Sequence, residues 1–295
     1  LGSLNSELAL RYRSTRGQQH VLELPEDAEL LSVTVDARNE TLELQDGKLS
    51  LPILPGEHNV DIAWRSEATP GFRVWSPAVG LGAPSSNLTI RMQLPRSRWV
   101  LFASGPDLGP AILYWSELAA LILVALLLGR IELTPLRSWH WILLGLGFST
   151  FSWGSLAIVA GWLLVSGWRR RFEFKGSPRA FNLLQLGFAA LSLIALATIV
   201  VNLPAGLLGT PDMHIGGYQS SGQTLSWFAD RATAAIPLAG VYSAPLWVYK
   251  ALILAWALWL SFALLSWLPW VWQSFVKDGL WRSQRVLTTG EREPR

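Results

Sequence analysis

The chain has no cysteine, and this excludes disulfides, thiol nucleophiles, thiolate zinc sites and iron–sulfur clusters. It has only four histidines and two methionines, so imidazole-rich metal centres have little to draw on. Charge is also scarce: 15% of residues are charged and 51% are apolar, with a mean hydropathy of +0.30, a balance that fits a membrane protein with a soluble part. Several motifs with known chemistry are missing. There is no Gly-x-Ser-x-Gly, no His-Glu-x-x-His, no phosphate-cradling glycine loop with Lys, and no Gly-x-Gly-x-x-Gly in a βαβ setting. No catalytic, cofactor-binding or metal-binding residue is therefore assigned, and no cofactor is expected.

What is present divides sharply near Gly105. Residues 1–108 carry 10 basic against 13 acidic residues, net −3, whereas residues 109–295 carry 14 against 8, net +6. The basic residues of the second part cluster in short segments beside apolar runs, where they set membrane orientation; this argues against nucleic acid as a partner. The expected fold class is thus an all-β, immunoglobulin-like sandwich over 1–108, followed by an α-helical transmembrane domain over 109–272. A cytoplasmic interfacial helix and disordered tail are expected over 273–295.

The β expectation rests on short alternating runs parted by turn residues. Val60, Ile62 and Trp64 alternate on one strand, Leu88, Ile90 and Met92 on another, and Asp46-Gly47 is a tight-hairpin signal. Two sheets closing over these faces would make a core without disulfides.

Three to four spans are expected. Ala111 to Gly129 supplies 19 residues, close to the roughly 20 needed to cross hydrocarbon. Ala180 to Val201 and Leu246 to Leu268 supply two more. The stretch 139–168 would measure about 44 Å as one straight helix, too long for a simple crossing and too short for two. Its middle, from Gly147 to Ser155, is rich in Gly and Ser, so a re-entrant hairpin, or an interfacial helix plus a half-span, is favoured over one tilted span. Arg169, Arg170, Arg171, Lys175 and Arg179, together with the basic tail after Trp272, place those segments inside; the outer loop 202–245, with Arg231 as its one basic residue, belongs outside. Trp139, Trp141, Trp168, Trp267, Trp270 and Trp272 on one side, and Trp115, Tyr242, Trp247 and Tyr249 on the other, read as an aromatic belt. Trp256 and Trp259 lie deeper, and simple packing is the expectation for them.

The candidate sites are few. Glu117 is the acidic residue well inside an apolar run, about two turns into the first span, and with Lys250 it forms a possible intramembrane polar site; a carboxyl near the outer interface and a snorkelling Lys are the plainer account. Asn182, Gln185, Ala189, Ser192 and Ala195 align on one helix face, which suits helix packing or, less simply, a polar pathway. Asp212, His214 and Asp230 form a possible outer-loop site for a metal or a base and its orienter, against a reading as ordinary loop structure. Residues Lys277 to Arg282, with Phe275, Leu280 and Trp281, read as an amphipathic segment on the inner leaflet.

Pro211-Asp212-Met213, Trp227-Phe228, the run Leu254 to Leu260 and Trp281-Arg282 resemble the C-terminal region of large uncharacterised proteobacterial inner-membrane proteins, in which a periplasmic β domain precedes the spans. The resemblance implies a bacterial inner membrane and a missing N-terminal region, and supplies no activity. The absence of an initiating Met and of a signal-like segment leads to the same expectation of an upstream piece. Expected partners are the lipid bilayer and other envelope proteins or that upstream region. The functional expectation is a non-catalytic interaction or assembly module of the cell envelope. The alternatives are a transporter or channel component using Glu117 and the polar helix face, and a membrane enzyme acting on lipid or glycan at the outer loop.

Overall fold

The computed structural model describes residues 2–68, 71–150 and 152–282, so the expected disorder of the last ten residues lies outside the described residues. The chain forms two compact units, and each is built from separated segments. Unit 1 comprises residues 1–114 and 213–246; unit 2 comprises residues 115–212 and 247–295.

Unit 1 is β throughout. Strands β1 (Gly2–Ser14), β2 (Gln18–Glu23), β3 (Glu29–Val35), β4 (Arg38–Glu40), β5 (Leu44–Gln45), β6 (Lys48–Ile53) and β7 (Gly56–Ala68) make two antiparallel sheets. One has the order β1-β7-β3-β4 and the other β2-β6-β5. Side chains alternate between faces along a strand, so each sheet can turn one apolar row inward. The first contributes Leu8, Val33, Val35, Val60, Ile62 and Trp64, and the second Leu22, Leu49, Leu51 and Ile53, all in one buried cluster. Asp46 and Gly47 join β5 to β6 with φ of 48° and 73°, the two left-handed positions that a type I′ hairpin turn requires.

The remaining strands follow a different plan. Strands β8 (Arg73–Trp75), β9 (Ser85–Gln93), β10 (Arg98–Ser104) and β11 (Pro110–Ile112) do not pair among themselves; they pair with β12 (Ile215–Gly217), β13 (Thr224–Ala232) and β14 (Gly240–Pro245). All are antiparallel: β9 lies on β13, β11 on β12, and β14 between β8 and β10. Residues 213–246, expected as an outer loop, therefore supply three strands. Leu225 and Trp227 of β13 and Val241 of β14 join Val100 and Ala239 in a second core, against which Ile90 and Met92 pack. Trp227 is 1% exposed, and any side chain at Gly105 or Gly109 would overlap its ring. Of the residues expected to close over Val60 and Ile62, only Leu88 reaches that first core.

Unit 2 is helical: α1 (Tyr114–Leu128), α2 (Ser138–Ser149), α3 (Trp153–Arg171), α4 (Pro178–Leu208) and α5 (Leu246–Val276). The sequence puts the first apolar helix at Ala111. In the structure, Pro110–Ile112 is strand β11 and α1 has 15 residues. Ser177 caps α4, accepting the Ala180 N–H with Pro178 in the first turn, and Ser152 caps α3 by accepting the Ser155 N–H. Two helices, α4 and α5, are long and apolar enough to cross a bilayer, each with 31 residues and mean hydropathy of 2.3 and 2.0 in the most apolar window. Much of their apolar surface has no protein cover: Leu183, Leu193 and Val201 of α4 and Phe262 and Leu265 of α5 are all at least two-thirds exposed.

Side-chain contacts fix the register of the helices. Near one end of α5, the Tyr249 hydroxyl lies 3.4 Å from that of Thr150 and donates to the Gly206 carbonyl at 3.5 Å. Further along, Trp256 Nε1 donates to the Leu143 carbonyl at 2.8 Å, and the His140 ring stands 6.2 Å from Trp267. Helix α2 therefore runs antiparallel to α5. Helix α3 returns: Trp162 Nε1 donates to Ser192 Oγ at 3.0 Å, and Arg169 reaches Gln185, which in turn bonds the Phe275 carbonyl. The stretch 139–168 is thus a helical hairpin in which α2 ends at Ser149 and α3 begins at Trp153.

Candidate functional site

A polar constellation of unit 2 lies where α3, α4 and the end of α5 meet. Its centre is Arg169, 3% exposed. Its Nη2 donates to Gln185 Oε1 at 2.9 Å, and Gln185 Nε2 donates to the Phe275 carbonyl at 2.7 Å. Arg169 Nη1 and Asp278 Oδ2 are 3.9 Å apart, an ion pair without a hydrogen bond. Arg169 Nε and Asp278 Oδ2 are both buried without a hydrogen-bond partner. Burial of a guanidinium is costly unless its donors are satisfied, so this is an incompletely met cation.

After α5 the chain turns back onto this cluster. The expected interfacial helix does not form over 277–282: α5 continues to Val276, Gly279 takes φ of 88°, and its N–H donates to the Val276 carbonyl. The Asn182 side chain then brackets Arg282, accepting its N–H at 3.0 Å and donating to its carbonyl at 3.1 Å. The guanidinium groups of Arg282 and Arg169 both lie over the Phe181 ring, at 4.2 and 5.1 Å from its centroid. Asn182 and Gln185 are thus held by protein partners, and the face they share with Ser192 and the fully buried Ala195 is a packing seam.

Beside Arg169 is a cavity of about 270 Å³ lined by Val165, Trp168, Leu184, Gly187, Phe188 and Leu191. Every lining residue except Arg169 is apolar. No sequence pattern announced it, because Arg169 belongs to a run of three arginines whose neighbours, Arg170 and Arg171, are exposed.

The other candidates lie on separate elements. Glu117 falls in the first turn of α1, where a carboxylate complements the helix dipole, and not two turns within it. Lys250 is exposed on α5. The Asp212 N–H donates to the Thr150 carbonyl in unit 2, and Asp212 belongs to a different unit from His214 and Asp230. His214 takes φ of 47° and its carbonyl accepts the Leu113 N–H at 3.3 Å. Asp230 is exposed on β13, with Arg231 Nε 3.8 Å from its carboxylate. Among the described residues, no group of three or more His, Asp or Glu side chains could hold a metal ion. Trp256 is buried against Phe148 in an edge-to-face contact at 5.3 Å, a packing role. No family model, curated protein or solved structure matches the chain.

Proposed function

We propose that the chain is an integral protein of the bacterial inner membrane that serves as a non-catalytic interaction or assembly module of the envelope. In this reading the β unit, whose first core is an immunoglobulin-like sandwich, is periplasmic, and the α3–α4 connection and the C-terminus are cytoplasmic. The observation that carries the reading is the uncovered apolar surface of α4 and α5. Soluble monomers rarely expose apolar area on that scale, and lipid is the solvent that makes it favourable.

Chain connectivity supports the proposed threading. The chain leaves unit 1 at Tyr114 and re-enters it at Met213, so the helices between must return it to the same side. If α1 crosses inward and α4 outward, α2 and α3 together must start and finish inside. Their hairpin register suits a re-entrant element, and Thr150 at the end of α2 meets Tyr249 of α5, the kind of protein contact that irregular backbone at depth requires. In this threading α4 and α5 are full spans and α2–α3 a re-entrant pair, while α1, at 15 residues, is shorter than the roughly 20 that a simple crossing needs. Arg169, Arg170, Arg171, Lys175 and Arg179 on the inner side and a nearly uncharged return segment on the outer side agree with the positive-inside rule.

The assembly role rests on an ordered β unit that carries exposed aromatic residues, among them Phe72 and Trp75. Extraction in mild detergent followed by intact-mass analysis tests it. The expected result is a stoichiometric protein partner that is lost when Phe72 and Trp75 are replaced by Ser. A chain that purifies alone from its native membrane contradicts the assembly role.

A further inference from the structure

The cavity between α3 and α4 joins three features that are separately unremarkable. It is apolar along its walls, it borders a buried cation with an unpaired donor, and it opens on surface that the proposed function assigns to lipid. Val165 and Trp168 on one side and Gly187 on the other are exposed, and a side chain added at Gly187 would meet nothing within 4 Å. Gly187 therefore leaves a gap in the outer face of α4, flanked by the exposed Leu183 and Leu186.

Charge at this end is strongly one-sided. Arg169, Arg170, Arg171, Lys175, Arg179, Lys277 and Arg282 stand against Glu173 and Asp278 within residues 169–179 and 277–282. Asp278 Oδ2 lies 3.9 Å from Arg169 Nη1, too far for a hydrogen bond, so the guanidinium is not fully satisfied by protein. An occupant that satisfies the site must bring anionic oxygen and a narrow apolar body. At about 270 Å³ the cavity falls just below the roughly 300 to 1,000 Å³ of ordinary small-molecule pockets, a size that suits a segment of chain and not a ring cofactor.

We propose that this cavity binds an anionic phospholipid of the surrounding bilayer, with the headgroup phosphate on Arg169 and part of one acyl chain along Val165, Leu184, Phe188 and Leu191. The guanidinium, whose Nη2 is already given to Gln185, has donors left over for a phosphate, and the walls beside it are apolar. Arg170 and Arg171, exposed beside it, add attraction to any anionic surface but no selectivity for a chain. The proposal rests on the membrane reading given above.

The test uses the full chain in mild detergent, titrated with phosphatidylglycerol or phosphatidylcholine of identical acyl chains and read by native mass spectrometry. One phosphatidylglycerol should bind about fivefold or more tightly than phosphatidylcholine, the factor one basic side chain contributes near an anionic headgroup. Gly187→Leu, whose added atoms enter open space, should weaken it about tenfold or more, since each excluded methylene is worth roughly fourfold. Arg169→Gln should lower the headgroup preference about fivefold. Equal binding of the two lipids, or unchanged binding to the Gly187→Leu chain, overturns the proposal, as does displacement of the lipid by inorganic phosphate at equal concentration, which would mark a site for a soluble anion. A chain that stays monodisperse without detergent would instead overturn the membrane reading itself.

Discussion

Buried tryptophans carry much of the packing in both units, and their indole N–H groups are not equally served. Trp162 donates to Ser192 Oγ at 3.0 Å, whereas Trp64 Nε1 is buried without a partner. A hydrogen bond made in the interior contributes about 1 kcal/mol, while an unmet donor subtracts from stability. Both rings lose similar volume on conversion to Phe, so Trp162→Phe should destabilise by about 1 to 2 kcal/mol more than Trp64→Phe. Thermal or denaturant unfolding of the two variants, each reported through its own unit, checks the difference. The His58 and Asp36 pair makes a pH-dependent contact on the surface of unit 1. His58 Nδ1 and Asp36 Oδ2 are 2.6 Å apart, and Asp36 Oδ1 accepts the Asn59 N–H at 3.0 Å. The hydrogen bond to Asp36, then that to the Pro55 carbonyl, raises His58 above its ordinary 6.5; the same bond to His58, then that to Asn59, lowers Asp36 below 3.8. A raised His stabilises fully below its unfolded value and loses that contribution as pH rises through the folded one. A lowered Asp stabilises above its unfolded value and loses it as pH falls. The pair therefore contributes most between about 4 and 6.5. His58→Gln should reduce stability at pH 5.5 and leave it nearly unchanged at pH 9, as measured by unfolding of the β unit across that range.

At the scale of elements, what could be read from the sequence was what local pattern determines. A long apolar run made α4 visible, and Asp46-Gly47 marked the β5–β6 turn, because a left-handed pair has few residue choices. The Gly- and Ser-rich stretch from 147 to 155 marked the break between α2 and α3, where Ser152 caps the second helix. Pro110-Ala111-Ile112 was misplaced because three apolar residues serve a strand or a helix equally, and only pairing with Ile215–Gly217 decides between them. The same blindness hid β12 to β14. Leu225, Trp227 and Ala229 alternate as strand residues should, but their partners in β9 lie more than a hundred positions earlier. Arg169 was legible as a charge that orients helices, and not as a buried one, since burial depends on Gln185, Phe181 and Asp278 arriving from elsewhere. Close helix approach makes a further prediction. A side chain at Gly147 would overlap the Trp256 ring, so Gly147→Ala should destabilise the helical unit by about 1 to 3 kcal/mol. Gly161→Ala, with nothing within 4 Å, should be neutral or slightly stabilising from helix propensity. Thermal unfolding followed by helical circular dichroism in detergent separates the two.

For the whole molecule, the central fact is that both compact units are discontinuous in sequence, each completed by a segment from beyond the other. The second core of the β unit depends on residues 213–246 for Leu225, Trp227, Ala239 and Val241. Expressing residues 1–114 alone should therefore leave the first core formed but for Ile236, and the second open, visible as exchange-labile amides across β8 to β11. That dependence also constrains the proposed threading, because residues 2–113 and 213–246 must emerge on one side of a bilayer. A chain with no native cysteine permits a direct reading through single substitutions at exposed positions. The decisive measurement is labelling of Thr15→Cys, Ser221→Cys and Lys175→Cys in spheroplasts with a membrane-impermeant maleimide. The first two should label in intact spheroplasts and Lys175→Cys only after permeabilisation; labelling of all three from the same side would contradict the proposed threading.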